Sequence, residues 1–297
     1  MIIAAVIFCW VAAAGNNSNP DGKKETSMKS FETTYRYKNY KDERGYPRPE
    51  PKPERVYGPI YSISGLTVCS FLIKTSSGLV LIDDLYEKDS LKITDNIRSL
   101  GFDPKDIRII LITHWHGDHS GGTAYLAKLS GAAVMIHERD ADVLETGLYR
   151  DKKVVPAVHV SRRLVDGDVI KEGGVSISVL HCPGQSAGSA VYCVTVNGPQ
   201  GPSRAIFAGD GTGFKNSVEV LDRLGYPGVC ADYRNTVKKL QALDFDLYCG
   251  GHPHQVFEEM RPDGNPFVTR EEWQKMVGAR HQQMEDFVKE YPKYLGW

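Results

Sequence analysis

One short segment, residues 112–119, restricts what this chain can fold into more than any other feature: it reads Ile-Thr-His-Trp-His-Gly-Asp-His. The residues before it, 107–113, are mostly apolar and β-branched, which predicts a buried strand. Side chains two positions apart on a strand point to the same side. We therefore expect His114 and His116 to lie together at the end of this strand, where both can bind one metal ion.

The second half of the segment adds a turn and two more potential ligands. Gly117 permits a sharp change of chain direction, after which Asp118 and His119 begin a helix and face a second ion. Imidazole nitrogen and carboxylate oxygen are ligands that zinc takes readily. The alternative is a set of exposed loop histidines beside an aspartate that caps the helix. Three histidines and a carboxylate at this spacing favour the metal site.

The pattern H-x-H-x-D-H resembles the signature of the metallo-β-lactamase superfamily, and the resemblance extends over roughly residues 56–256. It implies an α/β fold, an αββα sandwich in which two mixed sheets carry helices on their outer faces. Residues 65–82, 100–102 and 165–168 are most similar to the third subclass of class B β-lactamases. The resemblance therefore implies a metal-dependent hydrolase.

Three further residues fall where the resembled family carries residues of its metal site. Asp83 ends an apolar strand and is implied to hold a ligand histidine by the free N–H of its ring. Asp210, between glycines after another strand, is implied to bridge two metals, and His252 to close the second site. His254 is expected to be an exposed neighbour. For Asp83 and Asp210 the alternative is an aspartate in an ordinary turn.

One ligand of the family pattern is replaced. The third histidine of the first site belongs in a Pro-Gly-His-Thr turn, and here the matching turn carries Gln185. An amide oxygen is a neutral, harder donor that suits calcium or magnesium better than zinc, so the first site should be weakened. His181, on the strand before the turn, is a conceivable substitute. Asp210 stands where the subclass often has a serine, and Thr212 could bind a substrate carboxylate or cap the turn.

Two states of the site follow, with one or two zinc ions per chain. The first is dinuclear with Gln185 as a poor ligand, and the second is a single zinc held by Asp118, His119 and His252. In either state a zinc-bound water with a pKa of about 7 would be the nucleophile, and Asp118 would orient the hydroxide and relay its proton.

The leading hypothesis is a secreted zinc hydrolase that attacks a cyclic amide, with a β-lactam as its first substrate. The alternatives are a lactonase or thioester hydrolase of the same superfamily, a metal-impaired binding protein, and a diiron redox protein. Metal content and turnover, measured together, would separate these alternatives.

Composition agrees with one globular enzyme domain that acts on a small molecule. Charged residues make up 25% and hydrophobic residues 41% of the 297 positions, which is ordinary for a soluble globular protein. The net charge is −1, and no run of Lys and Arg with interleaved aromatic residues is present. Such a chain lacks the basic surface that tracks phosphates, so no nucleic-acid partner is predicted.

The N-terminal part of the sequence divides into two segments. Residues 1–14 form an apolar run ending in an Ala-x-Ala site, which predicts a signal peptide and a periplasmic or secreted protein, although the positive n-region is missing. This run is too short to span a bilayer, so no membrane span is expected after cleavage, and an uncleaved anchor is the alternative. Residues 15–55 predict a Pro- and Lys-rich linker or N-terminal arm, and residues 56–297 the metallo-hydrolase domain. Five cysteines follow the signal, and this odd number implies no disulfide framework.

Hydrophobic periodicity predicts the remaining elements. Strands are expected at residues 56–63, 68–74, 79–82, 107–113, 175–180, 190–196 and 205–207. Helices are expected at residues 90–100, 121–130, 140–146 and 231–243, and a final helix, opened by a capping box at Thr269, extends to about residue 290.

Overall fold

Apolar runs form the strands of two mixed sheets in a computed structural model that describes residues 35–37, 51–210, 212–214, 217–257, 263–294 and 296. All of these residues belong to one compact unit, Glu32–Trp297. The predicted signal peptide lies outside the described residues, as does the predicted arm apart from residues 35–37 and 51–55.

The strands of the described residues are β1 (Glu54–Tyr57), β2 (Ile60–Ser62), β3 (Phe71–Lys74), β4 (Leu79–Ile82), β5 (Ile107–Ile112), β6 (Ala133–His137), β7 (Leu148–Tyr149), β8 (Lys152–Lys153), β9 (Arg162–Leu164), β10 (Val169–Glu172), β11 (Val175–His181), β12 (Ala190–Gly198), β13 (Gly201–Gly209) and β14 (Leu247–Gly250). The α-helices are α1 (Ser90–Ser99), α2 (Gly117–Ser120), α3 (Thr123–Ser130), α4 (Glu138–Thr146), α5 (Val218–Leu224), α6 (Val229–Ala242), α7 (Pro253–Phe257) and α8 (Arg270–Glu290). Short 3-10 helices cover Glu87–Asp89, Pro104–Asp106 and Pro292–Tyr294.

The first sheet has the strand order β1-β2-β3-β4-β5-β6-β9, and the second has the order β10-β11-β12-β13-β14. Strands β4, β5, β6 and β9 are parallel, and so are β13 and β14, whereas the other neighbours in both sheets are antiparallel. The carboxyl ends of parallel strands lie at one edge of a sheet. The residues that follow β4 and β5 therefore gather together, and so do those that follow β13 and β14.

Helices cover the outer faces of both sheets. Ile93 of α1 and Leu126 of α3 belong to the same buried apolar cluster as Ile110 of β5. On the second sheet, the Trp273 indole N–H of α8 donates to the Leu240 carbonyl of α6, and the Trp273 ring contacts Tyr248 of β14. The predicted αββα sandwich is confirmed.

The helix predictions agree with the structure to within a few residues, and one strand prediction is wrong. Residues 56–63 form two antiparallel strands, β1 and β2, joined by a turn at Gly58. Gly58 has a φ of +52°, and a Cβ there would lie 2.3 Å from the Asn197 carbonyl oxygen, so only glycine fits. The capping box at Thr269 and Glu272 is present as predicted.

Part of the predicted arm lies against the second sheet. Tyr35 and Tyr37 are both buried, and the Tyr37 hydroxyl donates to the Tyr248 carbonyl at 3.0 Å and accepts from the Gly250 N–H at 2.8 Å. Residues 35–37 therefore pack beside the end of β14, directly before His252. Among the described residues, no helix has the length and apolar character that a membrane crossing requires.

Candidate metal centre

The centre begins at the ends of β4 and β5, where Asp83 and Thr113 are bonded to each other. Asp83 has a φ of +54°, a conformation that aspartate tolerates better than most residues. Its carboxylate accepts the Thr113 N–H and the Thr113 hydroxyl, both at 2.8 Å. Oδ2 also lies 2.8 Å from Nδ1 of His119. Asp83 thus holds the His119 ring from behind.

Asp118, His119 and His252 form what we call the second-site cluster. Nε2 of His119 lies 3.3 Å from Nε2 of His252 and 3.5 Å from Oδ2 of Asp118, and the third side of this triangle is 3.7 Å. Ligands that each lie about 2 Å from one zinc ion are separated by little more than 3 Å. These three side chains therefore fit one tetrahedral ion and leave a fourth position.

The ring hydrogens of the second-site cluster point away from its centre. Nδ1 of His252 donates to the Thr67 carbonyl at 2.7 Å, as Nδ1 of His119 donates to Asp83. An imidazole whose Nδ1 carries the proton presents a lone pair on Nε2. In the metal-free protein burial lowers the pKa of His119, but the charge and hydrogen bond of Asp83 outweigh this effect and raise the pKa to about 9, so zinc must displace the Nε2 proton when it binds.

His114 and His116 form the first-site pair. Nε2 of His114 lies 3.1 Å from Nδ1 of His116, as expected for two ligands of one ion. His114 is fully buried, and its burial holds the pKa well below the usual histidine range, so its imidazole is neutral. Asp210 completes a second group of donors with His114 and His119, within 4.8 Å of one another. The described donors are nitrogens and carboxylate oxygens, a set that suits zinc.

Two glycines bring the second sheet to this edge. Gly209 has a φ of +48°, and a Cβ on it would lie 2.1 Å from the Thr113 hydroxyl. A Cβ on Gly251 would lie 2.6 Å from the Gly209 backbone, to which the Gly251 N–H donates at 3.0 Å. This close approach of backbones places Asp210 and His252 beside the histidines that follow β5.

Two glutamines contact Asp210. The side-chain N–H of Gln185 donates to Oδ2 at 2.7 Å, and that of Gln255 donates to Oδ1. Burial raises the pKa of Asp210, but the neighbouring His252 and His119 outweigh this effect and hold the pKa well below the usual range. Asp210 is therefore an ionised carboxylate.

Another carboxylate, Asp140, is fully buried and bonds to two loops of the centre. It accepts the Trp115 N–H at 3.2 Å from the histidine segment. From the turn that carries Gln185 it accepts the Ser186 hydroxyl at 2.6 Å and the Gly188 N–H at 2.8 Å. Burial raises the pKa of Asp140 to about 6.

Two further candidates, His181 and Thr212, do not face the donor atoms of the centre. His181 turns away from the first-site pair, because its Nε2 lies 2.9 Å from the Ala187 carbonyl and its ring stacks on His137 at 3.9 Å. The Thr212 side chain is fully buried and contacts Tyr248 and Arg280. Its burial does not support a role in binding a substrate carboxylate. The His254 ring stacks on His252 at 5.4 Å.

The match to known families agrees with this geometry. Residues 64–252 match the model of the metallo-beta-lactamase superfamily, a span that begins before β3 and ends at His252. The chain belongs to this superfamily. The predicted resemblance is confirmed, and the members of this superfamily are hydrolases.

Solved structures of two superfamily members cover most of the chain. A subclass B3 metallo-beta-lactamase of Bradyrhizobium japonicum is 31% identical, with a TM-score of 0.70 over 83% of this chain and 96% of that chain. A beta-lactamase from Chitinophaga pinensis is 28% identical, with a TM-score of 0.73 over 81% of this chain and 95% of that chain.

A curated relative matches a shorter region. The hydroxyacylglutathione hydrolase of Rhodopseudomonas palustris strain HaA2 is 32% identical over 167 residues, which are 55% of this chain and 50% of the relative. The chain therefore spans about half the length of the hydroxyacylglutathione hydrolases that it matches.

Sequence reasoning missed Asp140 and Gln255. Asp140 lies in the first turn of α4, where an acidic residue is common because it interacts favourably with the helix dipole. Gln255 lies three residues after His252, in the short helix α7, and has no feature of a motif. Only the hydrogen bonds of the folded chain distinguish these two residues from ordinary helix positions.

Proposed function

We propose that this superfamily hydrolase is a secreted, zinc-dependent enzyme that opens a cyclic amide, with a β-lactam as its first substrate. The observation that carries the proposal is the second-site cluster, in which three donor atoms lie 3.3 to 3.7 Å apart beside the first-site pair. Likeness to the subclass B3 enzyme over 83% of the chain supports the choice of substrate.

Zinc bound by these residues would supply a Lewis acid that lowers the pKa of water and polarises the carbonyl of a substrate. The chain's own residues divide the remaining work. Asp83 fixes the His119 ring, and the Thr67 carbonyl fixes the His252 ring, so both present Nε2 without reorganisation. Asp118 is the member of the cluster whose side chain is most exposed, at 23%, so it can orient a water molecule and accept its proton.

The second candidate is a thioester hydrolase. Asp210 favours it, because this carboxylate lies 3.3 Å from Nε2 of His252, at the position where the subclass often has a serine. The name of the relative from Rhodopseudomonas palustris points to a hydroxyacylglutathione substrate. The two candidates use the same metal centre and differ in the acyl group that is attacked.

The test combines metal analysis with turnover on purified protein. We expect bound zinc and hydrolysis of nitrocefin. Hydrolysis of a hydroxyacylglutathione without nitrocefin hydrolysis would instead establish the second candidate. A zinc-loaded protein that turns over no lactam, lactone or thioester would contradict both and support a binding protein.

Asp118→Asn tests the residue assigned to proton transfer. This change keeps the shape of the side chain but removes its charge, so we expect at least about a hundredfold loss of kcat with the fold retained. Asp246→Asn is the matched control, since it makes the same change at a carboxylate that accepts the Arg204 N–H, just before β14 begins. Wild-type turnover by Asp118→Asn at full zinc content would refute the role.

A further inference from the structure

We propose that Gln185 is not a metal ligand, and that it forms an amide clamp with Gln255 which positions Asp210 as the third ligand of the first site. This inference rests on the proposed zinc centre. It assigns Gln185 a role that differs from that of the histidine it replaces, and it adds Gln255 as a positioning residue.

The first step concerns which atom Gln185 presents. The side-chain amide of Gln185 donates its N–H to Oδ2 of Asp210 at 2.7 Å, so Nε2 is the atom that faces the carboxylate. The nitrogen lone pair of an amide is delocalised into the carbonyl and is a poor metal donor. In this orientation the only donor atom that Gln185 has for a metal, Oε1, is directed away from Oδ2.

Gln255 fixes the other oxygen, and its orientation is determined independently. Its Oε1 accepts the backbone N–H of His252 at 3.3 Å and lies 3.4 Å from the Tyr248 hydroxyl. Its Nε2 must therefore be the atom that contacts Oδ1 of Asp210. Because Gln255 is 2% exposed, it couples Asp210 to the His252 backbone without competition from water.

The amide clamp leaves each oxygen of Asp210 with a free lone pair. A carboxylate has about four acceptor positions, and the two amide bonds use one on each oxygen. Oδ2 lies 3.3 Å from Nε2 of His252, and an oxygen of Asp210 lies within 4.8 Å of the nearest nitrogens of His114 and His119. The first site then consists of His114, His116 and Asp210, and the anionic oxygen compensates for the missing imidazole.

The two roles predict opposite effects of glutamate. If Gln185 binds zinc through Oε1, Gln185→Glu supplies a stronger anionic ligand and should tighten the more weakly bound zinc. If Gln185 is a donor, the variant places a carboxylate against Asp210 and should loosen that zinc by about tenfold to a hundredfold. Gln255→Glu is the reference variant. One oxygen of the new carboxylate would keep the bond from the His252 N–H, and the other would face Asp210, so this variant measures how far a carboxylate against Asp210 weakens zinc binding.

The experiment measures zinc dissociation constants by competition with a chromophoric chelator. Gln282→Glu is the matched control for added charge. The Gln282 amide donates to the exposed Asp286 at 2.8 Å, and neither residue is near the candidate ligands in sequence. We expect weaker zinc binding for both Gln185→Glu and Gln255→Glu and no change for Gln282→Glu. Tighter zinc binding by Gln185→Glu, with weaker binding by Gln255→Glu, would overturn the proposal.

A second measurement separates this proposal from the zinc assignment itself. In the metal-free protein, Gln185→Met removes the N–H bond to the partly buried carboxylate of Asp210 while nearly keeping side-chain volume. The melting temperature should fall by about 3 °C or more, against about 1 °C or less for Gln282→Met. A wild-type protein that binds no zinc would refute the proposed function, and the melting experiment would still decide the clamp. An unchanged melting temperature for Gln185→Met would overturn it.

Discussion

Asp83→Asn tests whether the hydrogen bond between Asp83 and the His119 ring positions that ring for metal binding. Asparagine tolerates the φ of +54° at this position, so the backbone is not strained, as it would be with alanine. The asparagine side chain, however, has a single oxygen, whereas both oxygens of Asp83 accept hydrogen bonds. In one orientation the asparagine NH₂ faces the Thr113 N–H and that bond is lost. In the other orientation the NH₂ faces Nδ1 of His119 and moves the proton of that ring onto Nε2, where the metal would bind.

The magnitude follows from the bonds that are lost. Three contacts of 2.8 Å converge on the Asp83 carboxylate, and either orientation of asparagine removes at least one hydrogen bond to a charged group. Such a bond contributes about 1.5–3 kcal/mol. If the loss falls on His119, the zinc affinity of the second-site cluster should decrease about tenfold to a hundredfold.

The assay is zinc competition with a chromophoric chelator, on protein whose circular dichroism matches the wild type. Asp246→Asn serves as control, because it alters a carboxylate that accepts one backbone N–H outside the centre. A zinc dissociation constant within about twofold of the wild-type value for Asp83→Asn would mean that Asp83 only closes the turn after β4.

Three further predictions concern other parts of the chain. Burial raises the pKa of Asp140 from 3.8 to about 6, so the folded state binds this proton more tightly than the unfolded chain does. About 3 kcal/mol of stability is therefore present below about pH 4 and is lost as the pH rises through 6. Denaturant titration of metal-free wild type and Asp140→Asn should show this loss as a pH-dependent difference in unfolding free energy, and a difference that does not vary with pH would contradict it. Gly188→Ala should destabilise the fold by about 1–3 kcal/mol, since the added Cβ would lie 2.6 to 2.7 Å from atoms of Asp140. Gly278→Ala in α8 is the control: its added Cβ would meet no atom within 4 Å beyond the neighbouring helix backbone, so it should be neutral or stabilising in the same titration. N-terminal sequencing of exported protein should give a mature end near Gly15, and an intact Met1 in a cytosolic fraction would refute the signal peptide.

The strand that carries the histidine segment could be predicted because its signals are local. Residues 107–112 form β5, as the mostly apolar run indicates, and the same reasoning predicts β4 and the long helix α8. Capping geometry is local too, which explains why the box at Thr269 was predictable.

The misses share a physical origin, since each depends on residues distant in sequence. Gly58 breaks the predicted strand because its backbone must pass the Asn197 carbonyl of another sheet. Nothing near Gln255 in the chain indicates that its amide meets Asp210, 45 positions earlier. The same holds for Gln185: its neighbours identify the turn, but only the fold shows which of its two polar atoms faces Asp210.

The centre draws its donors from both sheets, and this origin has a mechanical consequence. Asp118 and His119 follow β5 of the first sheet, while Asp210 and His252 follow β13 and β14 of the second. An ion held by side chains from both sides is a crosslink that binds only the assembled sandwich, and it stabilises that state in proportion to the logarithm of the free metal concentration. If this ion is zinc, as proposed, zinc starvation would remove both the metal used in hydrolysis and a crosslink between the two sheets, and proteolysis of the zinc-free protein should be faster than proteolysis of the zinc-loaded protein.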